Sequence, residues 1–294
     1  MRTVFLGTSE FAAAVLERLA ASAHRPALVV TRPDRRRGRG RRVTPPPVAC
    51  TAVALGIDLF QPQSVNDPQA RLQISKVHPD AVCLCAFGAL IKEPLLSEHL
   101  MLNVHPSLLP RWRGAAPIER AIMAGDLETG VSILRVDAGL DSGPVCAQTR
   151  EPIADTDTYG TLAPRLQELG ASLLVHTLDA RPPCWQQDEA NATYAEKISA
   201  AERLLDPREP AAALQRKVRA LTPHVGARLE LDDGAALGIL AVAVVEDGPP
   251  PGSLSLRGPR PTLGCGEGAL ELITVHPPGR RPMSGEDYLR GHRR

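Results

Sequence analysis

The sequence predicts an α/β protein, with a doubly wound, mostly parallel sheet followed by a small β-barrel domain. Three observations carry that expectation. Short β-branched runs alternate with helical patterns through the N-terminal half, as in a parallel sheet with helices on its faces. Beyond residue 226 the pattern changes to short strand-like runs broken by Asp-Gly, Pro-Gly and Gly-rich turns, which indicates a barrel or sandwich. The 294 residues are enough for two ordinary domains, each with its own core.

Taken in order, residues 3–6 read as a strand, 10–21 as a helix with Phe11, Val15, Leu16 and Leu19 on one face, and 27–31 as a second strand. Helices are expected over 48–55 and 69–76. Strands follow at 81–86, 102–104 and 131–136, with a helix over 116–124 between the last two. A helix over 158–178, with Leu162, Leu166, Leu169 and Leu173 spaced for one face, closes this Rossmann-like region. Arg181-Pro-Pro183 then opens a connector without clear periodicity. A helix over 211–220 precedes strand-like runs at 227–231, 237–245, 253–256 and 270–275. The expected division is an N-terminal domain over 1–183, a linker over 184–203 and a C-terminal domain over 204–294.

Composition narrows the classes. No apolar run approaches the ~18 residues of a membrane span and Met1 is not followed by an apolar leader, so a cytoplasmic protein away from membranes is expected. Six cysteines (50, 83, 85, 146, 184 and 265) show no CxxC spacing and no clustered histidine, which argues against a metal site and against a disulfide scaffold. Cys83 and Cys85 sit in an apolar run and read as small core residues. The net charge of +1 hides an asymmetry: residues 32–42 hold seven arginines against one aspartate. Such a run repels itself, so an exposed loop over 32–47 is expected, and more arginines lie at 280, 281, 290, 293 and 294. Two basic patches on a nearly neutral chain point to a polyanion.

The chemistry is carried by Asn103-Val-His105-Pro-Ser-Leu-Leu-Pro110 and by Leu140-Asp141-Ser-Gly143. At the end of a strand, Asn103 and His105 share a face, because side chains alternate along a strand. Pro106 and Pro110 then force the chain off the sheet as a stiff loop, and loops at strand ends are where sites sit. An amide donor, a ring titrating near neutrality and a carboxylate together make a set for acyl transfer. No G-x-S-x-G elbow lies beside them, so direct attack by an external amine on a bound acyl donor fits better than a covalent acyl-enzyme. Gly7-Thr-Ser-Glu10 opens a helix after a strand but is not the G-x-G-x-x-G fingerprint, which disfavours a nicotinamide enzyme.

These segments resemble the folate-dependent formyltransferases. The match rests on Val4 to Phe11, Asn103 through Pro117, Gly139-Leu-Asp-Ser-Gly143, Tyr194-Ala-Glu-Lys-Ile-Ser199 and Tyr288-Leu-Arg-Gly-His292. The arginine loop, from Pro33-Asp34 to Pro45-Pro-Pro-Val48, and the C-terminal barrel narrow the resemblance to the methionyl-tRNA formyltransferase family. The chain differs from the common family pattern at Leu205-Asp206-Pro207 and His224-Val-Gly-Ala227.

The resemblance implies Asn103, His105 and Asp141 as catalytic, and Ser107, Leu108, Leu109 and Pro110 with Ala86, Phe87 and Gly88 around 10-formyltetrahydrofolate, the formyl-donating co-substrate. It implies an initiator methionyl-tRNA contacted by Arg39 and an OB-like C-terminal domain; Arg37, Arg41 and Arg42 of the same basic run are expected to join Arg39, and a monomer without a metal is expected. Two other readings stay open. One is the same formyl transfer to a small amine such as glycinamide ribonucleotide or an amino sugar. The other is a non-catalytic RNA-binding module.

Overall fold

A computed structural model describes residues 1–37, 42–231 and 233–292. Two compact units emerge, one from residues 1–117, 128–152 and 163–195, the other from 118–127, 153–162 and 196–294. The first unit therefore includes the opening half of the aperiodic connector.

In chain order the elements begin with β1 (Thr3–Gly7), α1 (Glu10–Ala20), β2 (Pro26–Val30), β3 (Arg35–Arg37), β4 (Arg42–Thr44), α2 (Pro47–Ala54), β5 (Leu59–Phe60), α3 (Pro68–Lys76), β6 (Ala81–Cys85) and α4 (Leu95–Glu98). They continue with β7 (Met101–His105), β8 (Arg113–Gly114), α5 (Pro117–Ala124), β9 (Glu128–Arg135), β10 (Val145–Pro152), α6 (Tyr159–Ala180) and β11 (Tyr194–Ala195). The C-terminal part holds α7 (Ala211–Leu221), β12 (Ala227–Glu230), β13 (Ala236–Val245), β14 (Leu254–Ser255), β15 (Thr262–Gly264), β16 (Ala269–His276), β17 (Met283–Ser284) and α8 (Gly285–His292).

The large sheet runs β10-β9-β7-β6-β1-β2-β5. Its five strands from β5 to β7 are parallel, whereas β9 pairs antiparallel with β7 and β10 antiparallel with β9. The mostly parallel, doubly wound sheet is thus present with one reversed strand. β10 carries no long apolar run, only the pattern of buried Val145, Cys146 and Ala147 leading into charged residues, and for that reason it was not visible in the sequence. From β1 the chain first builds outward through β2 and β5, then returns to β6 and β7 on the other side. The carboxyl ends of β1 and β6 accordingly form a switch point, where open α/β sheets bind ligands.

Sequence explains most of these elements directly. Val4, Leu6, Leu28, Val30, Val82 and Leu84 interlock on one face of the sheet with Phe87 and Ile91. Ser9 caps α1 by accepting from the Ala12 amide at 3.3 Å, which accounts for that serine without a ligand. Gly7 is required for packing, since a Cβ there would lie 2.7 Å from Phe5, 2.8 Å from Ala12 and 3.1 Å from the Cys85 carbonyl.

Two expectations are corrected. The arginine stretch does pair with itself at its base: Arg35, Arg36 and Arg37 face Thr44, Val43 and Arg42 in an antiparallel ladder. Backbone hydrogen bonds between the two strands close that hairpin at its base. Arg39 and Arg41 lie outside the described residues. Cysteine spacing also misled, because Cys146 and Cys184 form a disulfide. The pair is not local: β10 and the connector run antiparallel, with the Val145 and Trp185 amides exchanging hydrogen bonds of 2.9 and 2.8 Å, and this sets the adjacent residues side by side. Cys83 and Cys85 are fully buried as read, and burial pushes the Cys83 thiol up to about 12 and the Cys85 thiol up as well.

The second unit is built on an antiparallel sheet ordered β12-β13-β16-β15-β14, with β17 also on β16. Leu214, Val218 and Leu221 of α7 pack on Leu237, Ile239, Leu270, Leu272 and Val275, and Tyr288 of α8 joins them. Among the described residues no ladder joins β12 to β14, so the sheet is not closed into a barrel. Towards the C-terminus α8 buries Tyr288 and Leu289, and Arg290 pairs with Asp287. No helix among the described residues is long and apolar enough to cross a membrane.

Candidate active site

β7 delivers the two leading residues together. Asn103 pairs in register with Leu84 of β6 and Leu134 of β9, His105 with Ser132 of β9, and the two share one face as alternation requires. Asn103 is half-buried and His105 is 3% exposed. Asp141 meets them from the loop after β9. Its Oδ1 accepts from the Asn103 amide at 3.2 Å, and its Oδ2 accepts from the Gly114 backbone N–H at 2.9 Å and lies 3.5 Å from His105 Nδ1.

The other ring nitrogen is also committed. Nε2 of His105 lies 2.8 Å from the Trp112 carbonyl, and a carbonyl only accepts, so Nε2 carries a proton. Nδ1 is thereby left to exchange a proton on the side of the carboxylate. One N–H and the oxygen of the Asn103 amide have no protein partner among the described residues. The arrangement offers an amide donor, an anchored imidazole and a carboxylate that orients both. Those are the groups an oxyanion and a transferred proton require.

The loop carrying Asp141 is tightly fixed. Asp141 has φ +51°, a left-handed conformation that Asp tolerates better than most residues. At Gly143 a Cβ would sit 1.8 Å from the Arg135 carbonyl oxygen, so no other residue fits. Gln187 donates to the carbonyls of both Asp141 and Gly143, at 2.8 and 2.7 Å, and accepts from Arg113 at 3.0 and 2.9 Å. Arg113, 1% exposed, also forks onto both carboxylate oxygens of Glu189 at 2.9 and 2.7 Å. Gln187 escaped sequence reasoning because it lies in an aperiodic connector, 46 residues from Asp141, with no motif beside it.

The remaining expected residues divide. Ala86 and Gly88 are exposed at the end of β6 with φ +42° and +70°, and Phe87 is buried between them. Thr8 Oγ donates to the Phe87 carbonyl at 2.9 Å, tying this segment to the end of β1 at the switch point. Ser107 is fully buried and its hydroxyl donates to the Arg111 carbonyl at 2.6 Å, while its own carbonyl accepts from Ser132 Oγ at 2.7 Å. Leu109 is buried against Leu134 and Val145, and Gln148 donates to its carbonyl at 3.1 Å. Only Leu108 and Pro110 of this segment are partly open, so it presents backbone and two apolar side chains rather than a hydroxyl. Of the loop arginines, Arg37 and Arg42 stand opposite one another in the β3–β4 ladder.

Comparison with known proteins gives a consistent picture. Residues 1–178 match the formyl transferase model, and residues 197–293 match the model of the formyl transferase C-terminal domain. A methionyl-tRNA formyltransferase of Methylococcus capsulatus is 43% identical over 300 residues, which span 99% of this chain and 97% of that one. Another, of Stenotrophomonas maltophilia, is 43% identical over 302 residues, covering 100% and 98%. Among solved structures, HypX from Aquifex aeolicus in complex with tetrahydrofolic acid superposes with a TM-score of 0.67 over 98% of this chain and 47% of its own, at 17% identity, a likeness of fold.

Proposed function

The chain belongs to the methionyl-tRNA formyltransferase family, and on that premise we propose that it formylates methionyl-tRNA through Asn103, His105 and Asp141, with 10-formyltetrahydrofolate as donor and the initiator tRNA as acceptor. The observation that carries this reading is the Asp141 carboxylate, which takes the Asn103 amide and faces His105 Nδ1 at the open end of β7. The donor supplies the formyl carbon with N10 as leaving group, and the methionyl amine forms the new C–N bond as the C–N10 bond breaks.

The free N–H of Asn103 donates to the developing oxyanion, and His105, when protonated at Nδ1, supplies a second donor. Asp141 holds both in place and, with His105, moves the proton lost by the amine towards N10, directly or through water. The exposed backbone of Ala86 and Gly88, beside the end of β7, suits a planar heterocycle read through main-chain groups, and Leu108 and Pro110 supply an apolar wall. Residues 1–183 serve as the catalytic domain, 184–203 as a linker, and 204–294 as an OB-like domain that grips the tRNA; the antiparallel sheet capped by α7 supports the last.

A formylation assay with charged initiator and elongator tRNAs against free amines tests the whole. Transfer to the initiator tRNA is expected. Comparable rates on glycinamide ribonucleotide or an amino sugar would move the assignment to the small-amine reading, and failure to bind folate would leave only an RNA-binding module. For the loop, changing Arg37, Arg39, Arg41 and Arg42 to alanine should raise the KM for tRNA and flatten its salt dependence, by a slope of ~0.7 to 0.9 for every phosphate no longer neutralised. Folate binding should survive, and an unchanged slope counts against an RNA role for these arginines.

A further inference from the structure

We propose that Gln187 is a positioning residue for the formyl transfer, acting through Asp141 and itself set by Arg113; the inference rests on the assignment of Asp141 above. A side-chain amide has two N–H donors and one oxygen with two lone pairs. At Gln187 all four are used. Both donors go to carbonyls of the catalytic loop, those of Asp141 and Gly143, and both lone pairs receive N–H groups of Arg113. The amide cannot be turned over, because that would aim its NH2 at a guanidinium and its oxygen at two carbonyls. Arg113 therefore dictates which way Gln187 points, and Glu189 holds the guanidinium plane from the other side.

What Gln187 holds is the strained part of the site. Asp141 sits at φ +51°, a backbone state that persists only where surroundings enforce it, and Gly143 is pinned against the Arg135 carbonyl. With the two carbonyls flanking this bend clasped by one amide, the Asp141 carboxylate is delivered to Asn103, to the Gly114 N–H and to His105. Arg113 and Gly114 are neighbours on β8, so the residue that orients Gln187 also adjoins the backbone donor that receives Asp141. Gln187 makes no hydrogen bond to any of the three catalytic side chains. Its influence passes through the loop backbone.

The test is a double-mutant cycle in the full-length enzyme with Gln187→Met, Gln187→Glu and Asp141→Asn, reading kcat and the KM for folate and for methionyl-tRNA, with thermal melts to verify folding. Gln187→Met keeps the volume and loses every hydrogen bond. Gln187→Glu keeps the acceptor for Arg113, and therefore its support, but replaces both donors to the loop carbonyls. Each should lower kcat ~10- to 100-fold, as expected for a carboxylate displaced by a fraction of an ångström to about 1 Å, with both KM values within ~3-fold of wild type. On the Asp141→Asn background, Gln187→Met should cost no more than about 2-fold further, since the group it positions is already lost.

Wild-type kcat in both Gln187 variants, losses that multiply in the double variant, or a rise in KM at constant kcat would each overturn the proposal. Near-normal turnover in Asp141→Asn alone would instead overturn the role of Asp141, and the two failures are told apart by which single variant stays active.

Discussion

Replacing Asn103 by alanine should lower turnover ~100- to 1000-fold, the loss seen when a single oxyanion donor is removed from comparable sites. The fold should survive, because Asn103, midway along β7, is only half-buried and belongs to none of the hydrophobic core clusters. The variant loses two things at once. One amide N–H anchors Asp141 at 3.2 Å, and the other has no protein partner among the described residues. Of these the second is the catalytic loss, since Asp141 retains the Gly114 N–H at 2.9 Å. The expected signature is a fall in kcat and kcat/KM together with folate binding intact, which marks an interaction made in the transition state and not in the ground state. Asn103→Ala with near-normal turnover would remove Asn103 from the mechanism and with it the present reading of the β7 strand end.

The second large effect concerns stability. Cys146 and Cys184 close a loop across 38 positions of sequence, and a cross-link of that span lowers the entropy of the unfolded chain enough to stabilise the fold by ~4 kcal/mol on the chain-entropy account. Cys184→Ser should therefore shift the denaturant midpoint of the oxidised protein strongly downwards. Dithiol reductant should bring the wild-type protein to nearly the same midpoint and leave the variant unmoved. Cys184 is exposed, so the serine hydroxyl meets solvent and adds no penalty of its own. Equal midpoints for oxidised wild type and variant would show that the bridge contributes nothing. The connector it fastens to β10 is the one that carries Gln187, so the same pair of proteins also reports whether loosening that segment reaches turnover.

The two effects were not equally visible in the sequence. Asn103 and His105 were legible because a strand imposes a period of two and the prolines at 106 and 110 mark where the strand must end. Asp141 was named through its motif and the family resemblance, and its placement depends on a left-handed bend that no local pattern announces. The disulfide ran against the sequence reading, since cysteine spacing reports only local pairing and this pair is created by the antiparallel alignment of β10 with a connector. Ser107 lies within the motif, and only the tertiary structure shows that its hydroxyl is spent on the Arg111 carbonyl and fastens the loop.

The same division runs through the fold. Apolar patterning located β1, α1, β2, α2, α3, β6, β7, α5, β9, α6, α7, β12, β13, β14 and β16, because strands buried on both faces leave a continuous apolar run and elements buried on one face leave a period of 2 or 3.6. Among the elements it did not locate are β5, β8, β11, β15 and β17, which are two or three residues long and owe their conformation to a neighbouring strand. Strand direction was likewise beyond it: β9 is as apolar as its parallel neighbours, and only the ladder with β7 shows it reversed.

By itself, then, the sequence determined what depends on near neighbours in the chain: the alternating elements, the buried faces, the paired Asn103 and His105, and a formyltransferase motif specific enough to name the family. The tertiary structure alone decided what depends on segments brought together from a distance. That includes the anchoring of His105 on the Trp112 carbonyl, the clasp of Gln187 on the Asp141 loop, the buried Arg113 that orients it, and the Cys146–Cys184 bridge. The physical reason is one of range. Periodicity records which side of an element is buried, whereas a hydrogen bond between a connector and a loop 46 residues away leaves no periodic trace in either.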